Sequence, residues 1–321
     1  MSTAYEATRP TEPGAPDLTR RLDEVWAAEP FAEAAARTEH LCAVLPLLDL
    51  FEHDPYDCAA AVRAGQQRAA LGLFTPNAPF AVTEPTLRAR PVGAGLTALT
   101  GRFRYADGAA EITLATVWSE EDETLRLALL PHTLAGVRLF GAGRAADRGW
   151  GEATDAALDG RALSRPVSWR PDGPLVPVLD AYAWEFSRRS VTWSAKVVAD
   201  LRRALANTGE GTGALSTSQY LAHELSRLEI ELSLAAAAAS FGAEFKGEPP
   251  GGESVGAVLA AGTELLWRTV RIAEDLSTEL GLVPGPVAEE GWPADVVQAS
   301  FGGRRMVEGE LARRMGLVGR P

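Results

Sequence analysis

Hydrophobic positions along the chain follow three regimes. From Leu18 to about Leu73 they recur every three to four residues, as in Leu22, Val25 and Trp26 and then Leu41, Leu45 and Leu48. That spacing predicts helices with one apolar face. The stretch His53-Asp54-Pro55-Tyr56-Asp57 reads as a turn. Asp57 is placed to cap a further helix through Cys58, Ala61 and Val62 to Ala69, with Gly65 on its apolar stripe. Between Phe74 and Pro174 the period changes. Proline and glycine separate short alternating or β-rich segments at Phe80–Val82, Leu96–Tyr105, Glu111–Trp118, Leu125–Pro131, Gly136–Phe140 and Thr154–Leu158, with turn pairs such as Asp107-Gly108 between them. This pattern predicts a β sandwich or barrel of modest size. After Pro177 the helical period returns over Val178–Ala206, from Ser216 or Thr217 through the Ala235–Ala239 run, over Ser254–Leu280, and over a closing helix from Arg304 to Met315.

The resulting plan is α+β. A flexible leader (1–17), an N-terminal helical part (18–73), a central β-domain (74–174) and a C-terminal helical bundle (175–321) follow one another. The Ala235–Ala239 run is expected to pack tightly, and most tryptophans to serve as packing residues.

Composition narrows the function. With 43 acidic and 31 basic side chains the chain carries a charge of −12, which argues against a nucleic-acid partner because phosphate neutralisation needs a basic face. No apolar run reaches the ~20 residues that span a bilayer, and the start of the chain lacks a secretory profile. The two cysteines, Cys42 and Cys58, cannot build a disulfide framework, and the four histidines show no paired metal spacing. A cytoplasmic protein without a metal site is expected.

Several segments carry a resemblance. Phe80-Ala81-Val82-Thr83-Glu84-Pro85 resembles the start of the central β-domain of the acyl-CoA dehydrogenase family, with its small–small–Thr-Glu-Pro stretch. Gly101-Arg102-Phe103-Arg104-Tyr105-Ala106-Asp107-Gly108 resembles the family's next β segment, Leu129-Leu130-Pro131 with Gly136-Val137 the strand and turn after it, and Phe301-Gly302-Gly303-Arg304 through Leu317 the closing helix. The match runs in order over most of residues 40–320. It implies an acyl-CoA dehydrogenase-like fold with a short N-terminal helical part, FAD as cofactor, and an acyl-CoA or acyl-carrier thioester as substrate. It also implies a homodimer or a hetero-oligomer with a related subunit.

The implied reaction takes the α-proton of the thioester to a carboxylate base and the β-hydrogen to the flavin as hydride. By resemblance, Thr83 contacts the flavin pyrimidine edge, Tyr105 flanks the ring, Asp107 stands where a Ser or Thr bonds flavin N5, and Gln219 faces the dinucleotide linkage. Each also has a plain reading: strand threonine, half-buried strand tyrosine, hairpin turn aspartate, surface helix glutamine. The family's Arg-Phe-Gly ahead of that glutamine is absent, and Gly209-Glu210-Gly211-Thr212-Gly213 stands in its place. The usual base position holds Gly302. Some members take the base from the first helix after the β-domain, where Glu185 is the candidate; Arg188 and Arg189 at helical spacing offer it an ion pair instead. Three readings follow: an acyl thioester dehydrogenase, a non-catalytic flavin-poor partner subunit of the same fold, and a flavin-dependent monooxygenase, whose glycine and aromatic spacing Gly101–Gly108 resembles.

Overall fold

The computed structural model describes residues 15–73, 86–105, 107–140, 149–169, 173–207, 215–243, 253–280 and 301. Helix α1 (Ala15–Ala28) opens it, so Ala15–Asp17 of the expected leader are helical. Pro16 lies in the first turn, where backbone N–H groups have no helical acceptor and a proline removes no bond. Helix α2 (Phe31–Glu39) runs on through a widened turn, His40–Val44, into α3 (Leu45–Leu47) and a tightened turn at Leu48–Leu50. In the widened turn the Leu45 N–H reaches back five residues to the His40 carbonyl. Pro46 follows directly and has no N–H to return, which is a common setting for such irregularity.

Helix α4 (Cys58–Arg63) is shorter than the periodicity predicts. Gly65 ends it: at φ +69° its N–H bonds the Val62 carbonyl (3.1 Å) while the Gln66 N–H bonds that of Ala61 (2.9 Å). This crossed pair is the glycine stop of a helix C-terminus. The cap also differs from expectation. Asp57 sits at φ 55° with no capping bond, and Asp54 Oδ2 accepts from the Ala60 N–H at 3.0 Å instead.

The chain released by Gly65 forms a strand that the helical reading missed, β1 (Ala69–Gly72). Six more follow: β2 (Arg88–Gly93), β3 (Leu96–Tyr105), β4 (Ile112–Ser119), β5 (Thr124–Pro131), β6 (Val137–Phe140) and β7 (Gly149–Asp159). They make one sheet in which β5 pairs with β4, and β4 leads through β2, β3 and β7 to β6. Strand β1 lies parallel to the first half of β4, at Ile112–Ala115, and β2 parallel to its end, at Trp118 and Ser119. β3 and β4 are not mutual partners, so Asp107-Gly108 does not close a hairpin. Asp107 instead starts a turn, with its carbonyl accepting from the Ala110 N–H at 3.1 Å. A bulge at Leu99–Gly101 bends β3. Gly101 is required there: at φ +134°, a Cβ would stand 2.1 Å from the Thr86 carbonyl oxygen.

Helices α5 (Leu175–Asn207), α6 (Leu215–Ala243) and α7 (Glu253–Leu280) complete the described fold. Pro177 falls inside the first turn of α5 rather than before it. Two apolar clusters result. One joins the N-terminal helices, the sheet and the first half of α5; the other joins the second half of α5 with α6 and α7. Of the Ala235–Ala239 run, Ala235 packs against the second cluster while Ala236, Ala237 and Ala238 are exposed. No helix among the described residues is long and apolar enough to cross a membrane, and no group of three or more His, Cys, Asp or Glu there could hold a metal ion.

Candidate functional site

Thr83, in the segment between β1 and β2, and Gly302 lie outside the described residues, as do the predicted strand Phe80–Val82, the predicted closing helix and the stretch 209–213. The remaining candidates fall at three places.

Tyr105 and Asp107 stand at the end of β3. Tyr105 is fully buried, its ring near Phe103 and His132 with centroids 6.4 and 5.8 Å away. Its hydroxyl donates to the Phe140 carbonyl at 3.2 Å, tying β3 to the end of β6. Asp107 is 4% exposed. Its Oδ2 accepts from Arg68 Nε at 2.9 Å and lies 2.8 Å from Arg68 Nη2, while Oδ1 accepts from the Ala109 N–H at 3.0 Å. Arg68 Nη2 also reaches Glu33 Oε2 on α2 at 3.0 Å. Burial raises the Asp107 pKa, and the pull of Arg68 and Ala109 offsets this only in part. Burial works against the Arg68 charge, but Asp107 and Glu33 outweigh it and hold the guanidinium above its ordinary value. His132, on the turn after β5, has its pKa lowered to about 4 by burial and lies 2.7 Å from Thr113 Oγ1 through Nε2.

Glu185 lies on α5 and is held by Arg189, with Arg188 Nη2 at 3.2 Å. Arg189 is 3% exposed, and its Nη2 donates to Asp23 Oδ1 (2.9 Å) and to the Thr19 carbonyl (3.1 Å) on α1. The carboxylate is thus one corner of an ion-pair network that pins α1 to α5.

On the neighbouring face of α5, Tyr182 and Phe186 receive Phe301, the residue before Gly302. The Phe301 ring stacks on Tyr182 at 4.9 Å and lies 5.2 Å from Phe186. Tyr182 donates from its hydroxyl toward Glu39 Oε2 at 3.4 Å, and Glu39 Oε1 accepts the Leu71 N–H of β1 at 2.8 Å. Glu39 is 2% exposed and so joins α2, β1 and α5 from inside. Sequence reasoning overlooked it, although a signal exists: Glu39 occupies the stripe of Ala35, Cys42 and Ala43, where a carboxylate needs an internal partner. Gln219 is exposed on α6, away from these groups' hydrogen bonds. Neither cysteine offers a thiolate, since burial pushes Cys42 up to about 12 and Cys58 to about 11.

Of the described residues that the resemblance points to, Tyr105 is enclosed, and both Asp107 oxygens are engaged within the chain. What the site does contain is a buried meeting point of α2, β1 and α5, capped by Phe301.

No protein-family model matches the chain, and no curated protein matches it by sequence. Solved structures do match in fold. PigA with FAD and proline is 14% identical with a TM-score of 0.72, over 96% of this chain and 84% of that one. Glutaryl-CoA dehydrogenase of Mycobacterium smegmatis is 15% identical with a TM-score of 0.68, over 96% and 88%. The ChsE4–ChsE5 complex of Mycobacterium tuberculosis gives 14% and 0.64, over 95% and 89%. At such identities the likeness is one of fold, and it spans nearly the whole of this chain.

Proposed function

We propose that this chain, built on the acyl-CoA dehydrogenase fold, works in the α,β-dehydrogenation of an acyl thioester as one subunit of a hetero-oligomer, with FAD as the hydride acceptor of the assembly. The observation that carries the reading is the return of the chain at Phe301 to the Tyr182–Phe186 face of α5. That return brings Phe301 against the first long helix after the sheet, where the resemblance sets the acyl cleft and its base. Position 302 supplies no carboxylate, and Glu185 is committed to Arg189, which also bonds Asp23 on α1. A second chain of the same fold supplies the base.

The test is co-expression with a related chain, followed by anaerobic addition of acyl-CoA to the purified complex. Bleaching of the flavin's visible band, at a rate that Glu185→Gln changes by less than about threefold, is the expected result, because a catalytic base contributes ~10²–10⁴. A loss of that larger size would make Glu185 the base. No bleaching with a series of acyl lengths would remove the dehydrogenase reading.

A further inference from the structure

The end of β3 carries an arrangement that the proposed reaction does not use. The resemblance sets a hydroxyl at position 107 and an open aromatic at 105, both turned toward a flavin ring. In this chain both are spent elsewhere. Asp107 carries a carboxylate whose two oxygens accept from Arg68 and from the Ala109 N–H, and Arg68 is anchored in turn by Glu33. An ionised carboxylate has no proton to donate to a ring nitrogen. Turning it outward would strip the half-exposed Arg68 guanidinium of a counter-charge that a neutral ring cannot replace, leaving it Glu33 and water. Independently, Tyr105 has no exposed surface and binds the Phe140 carbonyl.

We propose that Arg68, Asp107 and Glu33 close this end of the sheet against a flavin ring, so that the chain by itself seats no flavin at the end of β3. The cluster joins α2, the approach to β1 and the β3–β4 turn. It thus supplies by internal ion pairing the rigidity that a bound ring supplies in a flavoprotein.

The full chain purified alone, dialysed against FAD, is expected to stay colourless, and its melting midpoint to stay unmoved by saturating FAD, because any ligand of the native state raises that midpoint. A stoichiometric yellow protein overturns the inference. Asp107→Ser is expected to lower the midpoint by about 3 °C, the scale set by losing a charge-assisted pair with one half-exposed partner; an unchanged midpoint also overturns it. Should that variant fail to fold, the wild-type dialysis decides alone.

Discussion

The two apolar cores of the molecule are held in different ways. The core beneath the sheet encloses Phe31, Phe103, Tyr105, Tyr182 and Phe186, and it is threaded and edged by polar bonds of buried side chains. Those bonds join elements far apart in the chain: Arg189 to Asp23, 166 residues away, and Tyr182 to Glu39, 143 residues away. The distal core is aliphatic, made of Val191, Val197, Val198, Leu201, Leu225, Leu228, Leu232, Leu265, Ile272, Ala273 and Leu276. Arg202 with Glu229 and Arg227 with Glu231 lie at its surface, and one half-buried pair, Arg268 with Glu231, joins α7 to α6. Non-directional burial suffices to hold three helices side by side. Directional bonds are needed where sheet, short helices and long helix must meet at fixed angles, and that is also where the candidate site lies.

Breaking the comparison begins with Arg189→Ala. The change removes a buried guanidinium that bonds the largely enclosed Glu185, the exposed Asp23 and the Thr19 carbonyl, leaves only Arg188 beside the two carboxylates, and is expected to cost about 3 kcal/mol in urea unfolding. In the distal core the matching change is Leu228→Ala, at a fully buried position. It removes three methyl-sized groups from an aliphatic layer and is expected to cost about 2–4 kcal/mol. The two also differ in kind. Raising salt should weaken the wild-type's advantage over Arg189→Ala and leave its advantage over Leu228→Ala unchanged.

The same division explains what could be read from sequence. β3, β4 and β5 and all three long helices carry clean periods, and the structure places each within a few residues of the predicted span. The strand β1 was hidden because Ala69-Ala70-Leu71-Gly72 continues the apolar spacing of α4, and only the φ of Gly65 breaks it. β2 was hidden because Arg88–Gly93 is exposed at every position but Ala89 and includes Pro91, so it shows no alternation. In the candidate site, the Glu185–Arg188–Arg189 pairing was legible as helical spacing, but the Asp23 end of that network was not. Arg68 with Asp107, and Glu39 with Leu71 and Tyr182, were likewise illegible. Each pairs residues more than thirty positions apart, and no local period encodes such a meeting.

A pH titration sharpens the comparison further. His132 belongs to the core beneath the sheet, and burial lowers its pKa from an unfolded value near 6.5 to about 4. Between these values the unfolded chain binds the proton and the native chain does not, so stability rises with pH across that window. The contribution is fully present above pH ~6.5 and is lost as pH falls to about 4, amounting to about 3 kcal/mol. Urea midpoints at pH 7 and pH 4.5 measure it, and His132→Asn should flatten this part of the profile. A profile that stays equally steep in the variant would assign the pH dependence to other groups.

The smallest effect is the most discriminating for the distal core. Arg202 Nη1 lies 2.8 Å from Glu229 Oε1 across α5 and α6, with side chains 67% and 45% exposed. In water the Coulomb gain of such a pair nearly cancels against desolvation and the ordering of two long side chains. Arg202→Ala is therefore expected to change stability by no more than about 0.5 kcal/mol, and Glu229→Ala by as little. A double-mutant cycle isolates the coupling from the packing of the arginine stem. A coupling above about 1 kcal/mol would mean that the three-helix region also depends on directed charge pairs. The contrast between the two cores would then lie in how deeply their ion pairs are buried, since both would be using them to set geometry.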